Sequence, residues 1–309
     1  MQQPPEDDLS IEETRRSEVA GAVSPFARGV EALRSFVDLG GGYPLLLTLC
    51  FAMDLRRILA IAWGKGGGSV LGAADFVNFL TLAEWWCLYE IARPLDWSGL
   101  RANRWERLIG LGFAAYALFF VVLQSHVLTI AVGFGMAIKL ALSDGKFRPL
   151  ALGLALISIQ EVFGKEIFGF SLNEAVAQFD ARGAEFLLST AGYAIEREGT
   201  ALHQPGVPEV IRVVATCATT VPLPETLAAF GIFAIWMRAE ITWRLAALAG
   251  ILTVAVFQIN WMRLAIVTFS QEHYAFWHDG TGRAMIGMSY VVLAFFLATL
   301  AAPAPPKKS

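Results

Sequence analysis

Residues 241–266 read ITWRLAALAGILTVAVFQINWMRLAI. Between Arg244 and Arg263 no side chain carries a charge, and a helix needs about 20 mostly apolar residues to cross the hydrocarbon core of a bilayer. Stretches of the same kind recur in both directions, near 43–63, 70–92, 107–124, 126–142, 148–170, 214–236 and 284–302, which makes eight expected spans. The first two carry Asp54, Arg56 and Arg57, and Asp75, Glu84 and Glu90. Charges at that depth face a polar interior or the interface rather than lipid. The sequence therefore predicts an all-α fold, a polytopic transmembrane bundle of about eight helices.

Composition agrees. The 309 residues are 56% hydrophobic and 17% charged, with a mean hydropathy of +0.54, against about 25% charged in ordinary soluble domains. A net charge of -3 with no basic concentration excludes nucleic acid as a partner and leaves the lipid bilayer as the expected environment. Three cysteines, Cys50, Cys87 and Cys217, are an odd number in an apolar chain, so a disulfide framework does not organise the fold. Residues 1–42 mix acids, Arg, Pro and small residues without an apolar core. They read as a disordered cytoplasmic tail, with 43–302 as one transmembrane domain and 303–309 as a second cytoplasmic tail.

Short loops rich in Lys and Arg face the cytoplasm. Arg93, Arg101, Arg104 and Arg107 fall in one loop, Lys146 and Arg148 in another, Arg238 and Arg244 in a third, and Lys307-Lys308 in the tail. Eight spans put all of these on one side; Lys65, in the Gly66-Gly67-Gly68 turn, and Arg283 are exceptions. The segments 171–213 and 267–283 then face outward. Within the first, LNEAVAQFDARGAEFLLSTAGYAIEREG (172–199) reads as an outer amphipathic helix ending at a glycine-marked break.

On this topology three chemically able residues meet on the outer face. Cys217 heads the sixth span in IRVVATCATTVPLPETL, Arg263 ends the seventh in FQINWMRLAIV, and His278 lies in HYAFWHDGTG before the eighth. A Cys supplies a nucleophile once deprotonated, a His takes and returns a proton near neutral pH, and an Arg stabilises an oxyanion. Asn260 lies three residues before Arg263 on the same helical face, where it would hold the guanidinium or donate to a substrate carbonyl. His273 competes with His278 within the same segment. The bland readings are a small filler for Cys217, an interfacial snorkelling residue for Arg263 and a loop histidine for His278. Cys50 and Cys87, mid-span, and His126 and His203, outside any motif, read as structural, and Glu161 and Lys165 as an i, i+4 pair.

The order of these features resembles the exosortase/archaeosortase family of membrane-embedded cysteine transpeptidases. The resemblance rests on Asp180, Leu187-Leu188, Gly192, Glu198-Gly199, Cys217, Asn260, Arg263, His278, Asp279 and Gly282. One departure is local: Ala218-Thr219-Thr220 follows Cys217 where the family usually has a Ser-Gly type pair. The resemblance implies Cys217 as nucleophile, Arg263 as oxyanion stabiliser and His278 as general acid/base, with Asn260 and Asp279 in support, and no metal or organic cofactor. It further implies substrates that are secreted proteins ending in a short motif, a transmembrane helix and a basic cluster. The enzyme would reside in a bacterial cytoplasmic (inner) membrane with its site on the extracytoplasmic side. The alternative is a non-enzymatic multi-pass transporter or an assembly component of envelope polysaccharide or secretion machinery.

Overall fold

The computed structural model describes residues 42–65, 78–98, 100, 103–119, 126–162, 172–207, 210–214 and 217–303. The expected tail at 1–41, the Gly66-Gly67-Gly68 turn, Asp75, Lys165 and Glu166, and the tail from 304 lie outside the described residues, as do the side chains of Glu161 and His126. Among the described residues the chain is mostly helical. The helices are α1 (Gly42–Lys65), α2 (Phe79–Ala92), α3 (Arg104–Phe119), α4 (His126–Ala141), α5 (Arg148–Val162), α6 (Asn173–Thr190), α7 (Pro222–Trp236), α8 (Trp243–Val267), the short α9 (Gln271–Tyr274) and α10 (Thr281–Ala301). Each expected span overlaps one of these helices. Among the described residues, α8 and α10 are long and apolar enough to cross a membrane by themselves.

Two helix starts differ from the edges of the apolar runs that announce them, for local reasons. The sixth run begins at 214, yet α7 begins at Pro222, because proline lacks an N–H and suits only the first turn of a helix. The residues ahead of it, Cys217 among them, are left free to form a turn. At α3, Asn103 and Glu106 cap each other reciprocally: the Glu106 N–H donates to Asn103 Oδ1 at 2.9 Å, and the Asn103 N–H to Glu106 Oε2 at 2.7 Å. That starts the helix at Arg104, earlier than hydropathy suggests.

The chain forms two compact units, residues 1–46 with 96–116, and residues 47–95 with 117–309. In the first, Tyr43 and Phe113 are buried and Leu46 rests on Gly110. In the second, α7 is the central helix and packs against α2, α5, α8 and α10. It is apolar nearly all round, with Ala228, Ala229, Phe230, Ile232, Phe233 and Ala234 buried. A helix apolar on every side is one enclosed by others.

The segment between α5 and α7 departs from the all-α expectation. The helix expected there is present as α6, and it ends at a left-handed Gly192 (φ 86°) with the Tyr193 N–H donating to the Leu188 carbonyl, a Schellman-type stop. Beyond it stands a small antiparallel sheet of β1 (Glu196–Glu198), β2 (Ala201–His203) and β3 (Val210–Arg212), in the order β1-β2-β3. Glu198 pairs with Ala201 across a two-residue turn whose Gly199 has a φ of 60°. A primed hairpin turn demands that sign of φ. Three-residue strands of charged and mixed residues carry no alternation long enough to read as strands, so the sequence signalled only the glycine.

Candidate active site

Four pieces of chain converge on Cys217: α6, the turn from Cys217 into α7, the last turns of α8, and the link from α9 to α10. α6 approaches α8 closely because its inner face is small: Ala177, Asp180, Ala181, Gly183 and Ala184 are all buried. Gly183 allows this approach, since a Cβ there would run into the Trp261 ring. Cys217 is 7% exposed and sits in a cluster with Ala177, Ala181, Ala184, Leu202, Val213, Ala218 and Leu264.

The turn is tied down on both sides. The Cys217 and Ala218 N–H groups donate to the Val214 carbonyl at 2.8 and 3.1 Å. Asp180, fully buried, accepts the Thr219 N–H at 2.6 Å and Asn260 Nδ2 at 3.3 Å on Oδ2, and Thr219 Oγ1 at 2.8 Å and Trp261 Nε1 at 2.9 Å on Oδ1. Asn260 Nδ2 also donates to the Cys217 carbonyl and to Thr219 Oγ1, both at 3.1 Å. Burial pushes the Asp180 carboxyl above the ordinary carboxylate range, and the hydrogen bonds from Thr219, Trp261 and Asn260 pull it the other way.

His278 reaches the sulfur from the opposite side, with Nε2 3.0 Å from Cys217 Sγ. It lies in a wide π-type turn, Ala275–Asp279, a feature frequent at functional sites. Tyr274 stacks on the imidazole at 4.5 Å between centroids and 16° between planes. Gly282 lets α10 begin against this turn: a Cβ there would lie 2.8 Å from the Phe276 carbonyl oxygen and 2.8 Å from the Trp277 ring. The glycine of the H-D-x-x-G pattern thus has a packing reason. Arg263, half-buried, donates from Nε to the Trp277 carbonyl at 3.2 Å, the peptide immediately before His278.

The expected residues are therefore brought to one end of the bundle, with differences of detail. Of the two competing histidines, His278 touches the sulfur, whereas His273 caps α9 with Ser270 (Oγ to Nδ1, 2.7 Å). Asn260 turns its amide to the Cys217 turn, and Arg263 is held instead by a backbone carbonyl. The reason is register: Asn260 is fully buried on the α8 face that meets α6. The Asp279 side chain lies outside the described residues. Cys50 and Cys87 are buried in α1 and α2, and His203 pairs loosely with Glu196 across the hairpin at 3.7 Å.

Sequence reading missed Thr219, Trp261 and Tyr274, and gave Asp180 no task. A carboxylate on the apolar side of an amphipathic helix was the available signal for Asp180. Among the described residues no cluster of His, Cys, Asp and Glu has the makings of a metal site. As a chemical arrangement this is a thiol beside an imidazole, a guanidinium next along the chain, and a rigid buried support.

No curated protein and no solved structure matches the chain. A family model described as transmembrane exosortase (Exosortase_EpsH) matches residues 76–295, a stretch that contains Asp180, Cys217, Asn260, Arg263 and His278. With more than two thirds of its length inside that match, the chain belongs to the transmembrane exosortase family.

Proposed function

We propose that the protein is a membrane cysteine protease/transpeptidase that cleaves the C-terminal sorting signals of secreted proteins through a thioacyl-enzyme intermediate. Family membership supports a membrane protease or transpeptidase role in general. The single observation that carries the finer reading is the 3.0 Å contact between Cys217 Sγ and His278 Nε2, the distance over which a base takes a thiol proton.

In this reading His278 accepts the Cys217 proton at Nε2, and the thiolate attacks the scissile carbonyl carbon. The carbonyl electrons move to oxygen, and Arg263 meets that oxyanion with its terminal nitrogens while Nε stays on the Trp277 carbonyl. As the tetrahedral intermediate collapses, the C–N bond breaks and His278 returns its proton to the leaving amine. An acceptor amine or water then attacks the thioester, gives up a proton to His278, and releases Cys217. Stacking on Tyr274 holds the imidazole in the plane this exchange needs. Asn260 supports the Cys217 carbonyl, and Asp279 follows His278 as in the family pattern.

The reading places the enzyme in a bacterial inner membrane with eight spans, both termini cytoplasmic and Cys217 extracytoplasmic. Substrates would be secreted proteins that end in a short motif, a transmembrane helix and a basic cluster. The test is co-expression with a reporter of that design, comparing processing by the wild type and by Cys217→Ala. Processing by the wild type alone is expected; equal processing by both removes Cys217 from the mechanism. Membrane-impermeant thiol labelling in intact cells checks sidedness, and labelling only after the membrane is opened reverses the orientation.

A further inference from the structure

Local backbone bonds hold only part of the nucleophile's turn. Its three leading N–H groups are spent, on Val214 for Cys217 and Ala218 and on Asp180 for Thr219. The carbonyl of Cys217 is bonded to Asn260, and Asn260 is in turn bonded to Asp180. One carboxyl on α6 therefore gathers the backbone of the turn, the Thr219 hydroxyl and two consecutive α8 residues. Asp180, Thr219 and Asn260 are buried and Trp261 partly so; in such a place a misplaced polar group is costly and a satisfied one is rigid.

From this geometry we infer that Asp180 is a positioning residue of the site: it clamps the Cys217–Thr219 turn against α6 and α8 so that the sulfur stays on His278 Nε2. The inference rests on the proposed thiol chemistry and adds a residue to it. Asp180 is bonded to Thr219, Asn260 and Trp261 and acts on the sulfur through them. A displacement of about 1 Å at a reacting atom costs on the order of 10²-fold in rate. That is the size of effect the clamp guards against.

A charge effect and a positioning effect have opposite signs here. The charged or titratable groups facing the site are Asp180 on α6, Arg263 on α8, Tyr274 at the end of α9, His278 in the wide turn and Tyr290 on α10. If Asp180 acted only as a negative charge near the sulfur, neutralising it would favour the thiolate. If it holds the sulfur on its imidazole, loosening it withdraws the cation that pairs with the thiolate, and forming the thiolate becomes harder.

The probe is iodoacetamide, applied to the full chain in membranes over a range of pH, with Cys217 modification read on its own peptide by mass. The midpoint of the pH profile is compared, since it does not depend on how easily the reagent enters. Asp180→Asn keeps the shape but turns an amide N–H₂ toward groups that are themselves donors. It is expected to raise the midpoint by about one unit and to lower reporter processing per inserted molecule by about 10²-fold. Trp261→Phe removes one of the four donors and should shift the midpoint the same way by less; it decides the matter if Asp180→Asn fails to insert. A midpoint that falls makes Asp180 a charge effect. An unchanged midpoint, with processing lost only in proportion to the protein present, makes it an ordinary core residue. Either outcome overturns the clamp while leaving the Cys217 mechanism standing; equal processing by wild type and Cys217→Ala is what defeats that mechanism.

Discussion

Two regions of the second unit bury carboxyl groups, and they use them differently. Between α2 and α5, Glu84 is fully buried and accepts Gln160 Nε2 at 3.0 Å; between α1 and α2, Asp54 accepts Trp85 Nε1 at 2.9 Å. These bonds run from side chain to side chain and tie one helix to the next. At the Cys217 end, Asp180 accepts four donors, one of them a backbone N–H, and ties a helix to the turn that carries a thiol. A link between helices tolerates small shifts, because apolar packing sets where the helices lie. A bond to the backbone of a turn does not, because the position of the next side chain depends on it.

The sharpest way to break this contrast is at the Cys217 end itself. Cys217→Ala should abolish reporter processing outright, and His278→Ala should lower it by about 10²–10⁴-fold, the usual worth of a positioned general acid/base. Both are measured in membranes against the amount of inserted protein. Retention of most activity by His278→Ala would make the 3.0 Å contact incidental.

Next in size is Arg263→Lys, which keeps the charge and loses the fork that spans the Trp277 carbonyl and an oxyanion together. Loss of one such donor costs about 10²–10³-fold, so processing should be crippled and still measurable. A variant that matches the wild type would make Arg263 a snorkelling interface residue.

Gly282→Ala tests whether the Cys217 end depends on close backbone approach. A Cβ at 2.8 Å from the Phe276 carbonyl must displace the turn that holds His278, at a cost of about 1–3 kcal/mol. Thermal unfolding in detergent should occur at a lower temperature, and processing should fall with it. Unaltered unfolding and processing would show that the turn is softer than its packing suggests.

The smallest effect is expected in the bundle. Glu84→Gln keeps an acceptor oxygen for Gln160 Nε2 and should change stability by about 1 kcal/mol or less, leaving processing per folded molecule as in the wild type. If Glu84→Gln lowers processing as far as Asp180→Asn does, the two regions are not distinct in kind, and a polar path through the bundle becomes the better reading of Glu84.

Much of this protein was legible in the sequence. Apolar runs marked where the helices lie, because a bilayer or a core demands length and hydropathy, both of which are properties of a window of sequence. The order of Cys217, Arg263 and His278 relative to those runs placed them at one end for the same reason. Helix starts were less legible: Pro222 and the Asn103–Glu106 cap set them through single residues that a hydropathy window averages away. The three-residue strands of the small sheet are too short for any period to show.

The sequence by itself determined that the chain is a helical membrane protein, with a thiol, a guanidinium and an imidazole at the ends of neighbouring apolar runs. The H-D-x-x-G pattern already favoured His278 over His273, and the tertiary structure supplies the physical reason, a wide turn that brings His278 to the sulfur. Only the tertiary structure decided that Asn260 supports the Cys217 turn rather than Arg263, and that Asp180, dozens of residues away, holds both. The physical reason is that hydrogen bonds are directional and short-ranged. Which donor reaches which acceptor depends on how closely α6 and α8 approach, and that distance is set by residues such as Gly183 that carry no chemistry of their own.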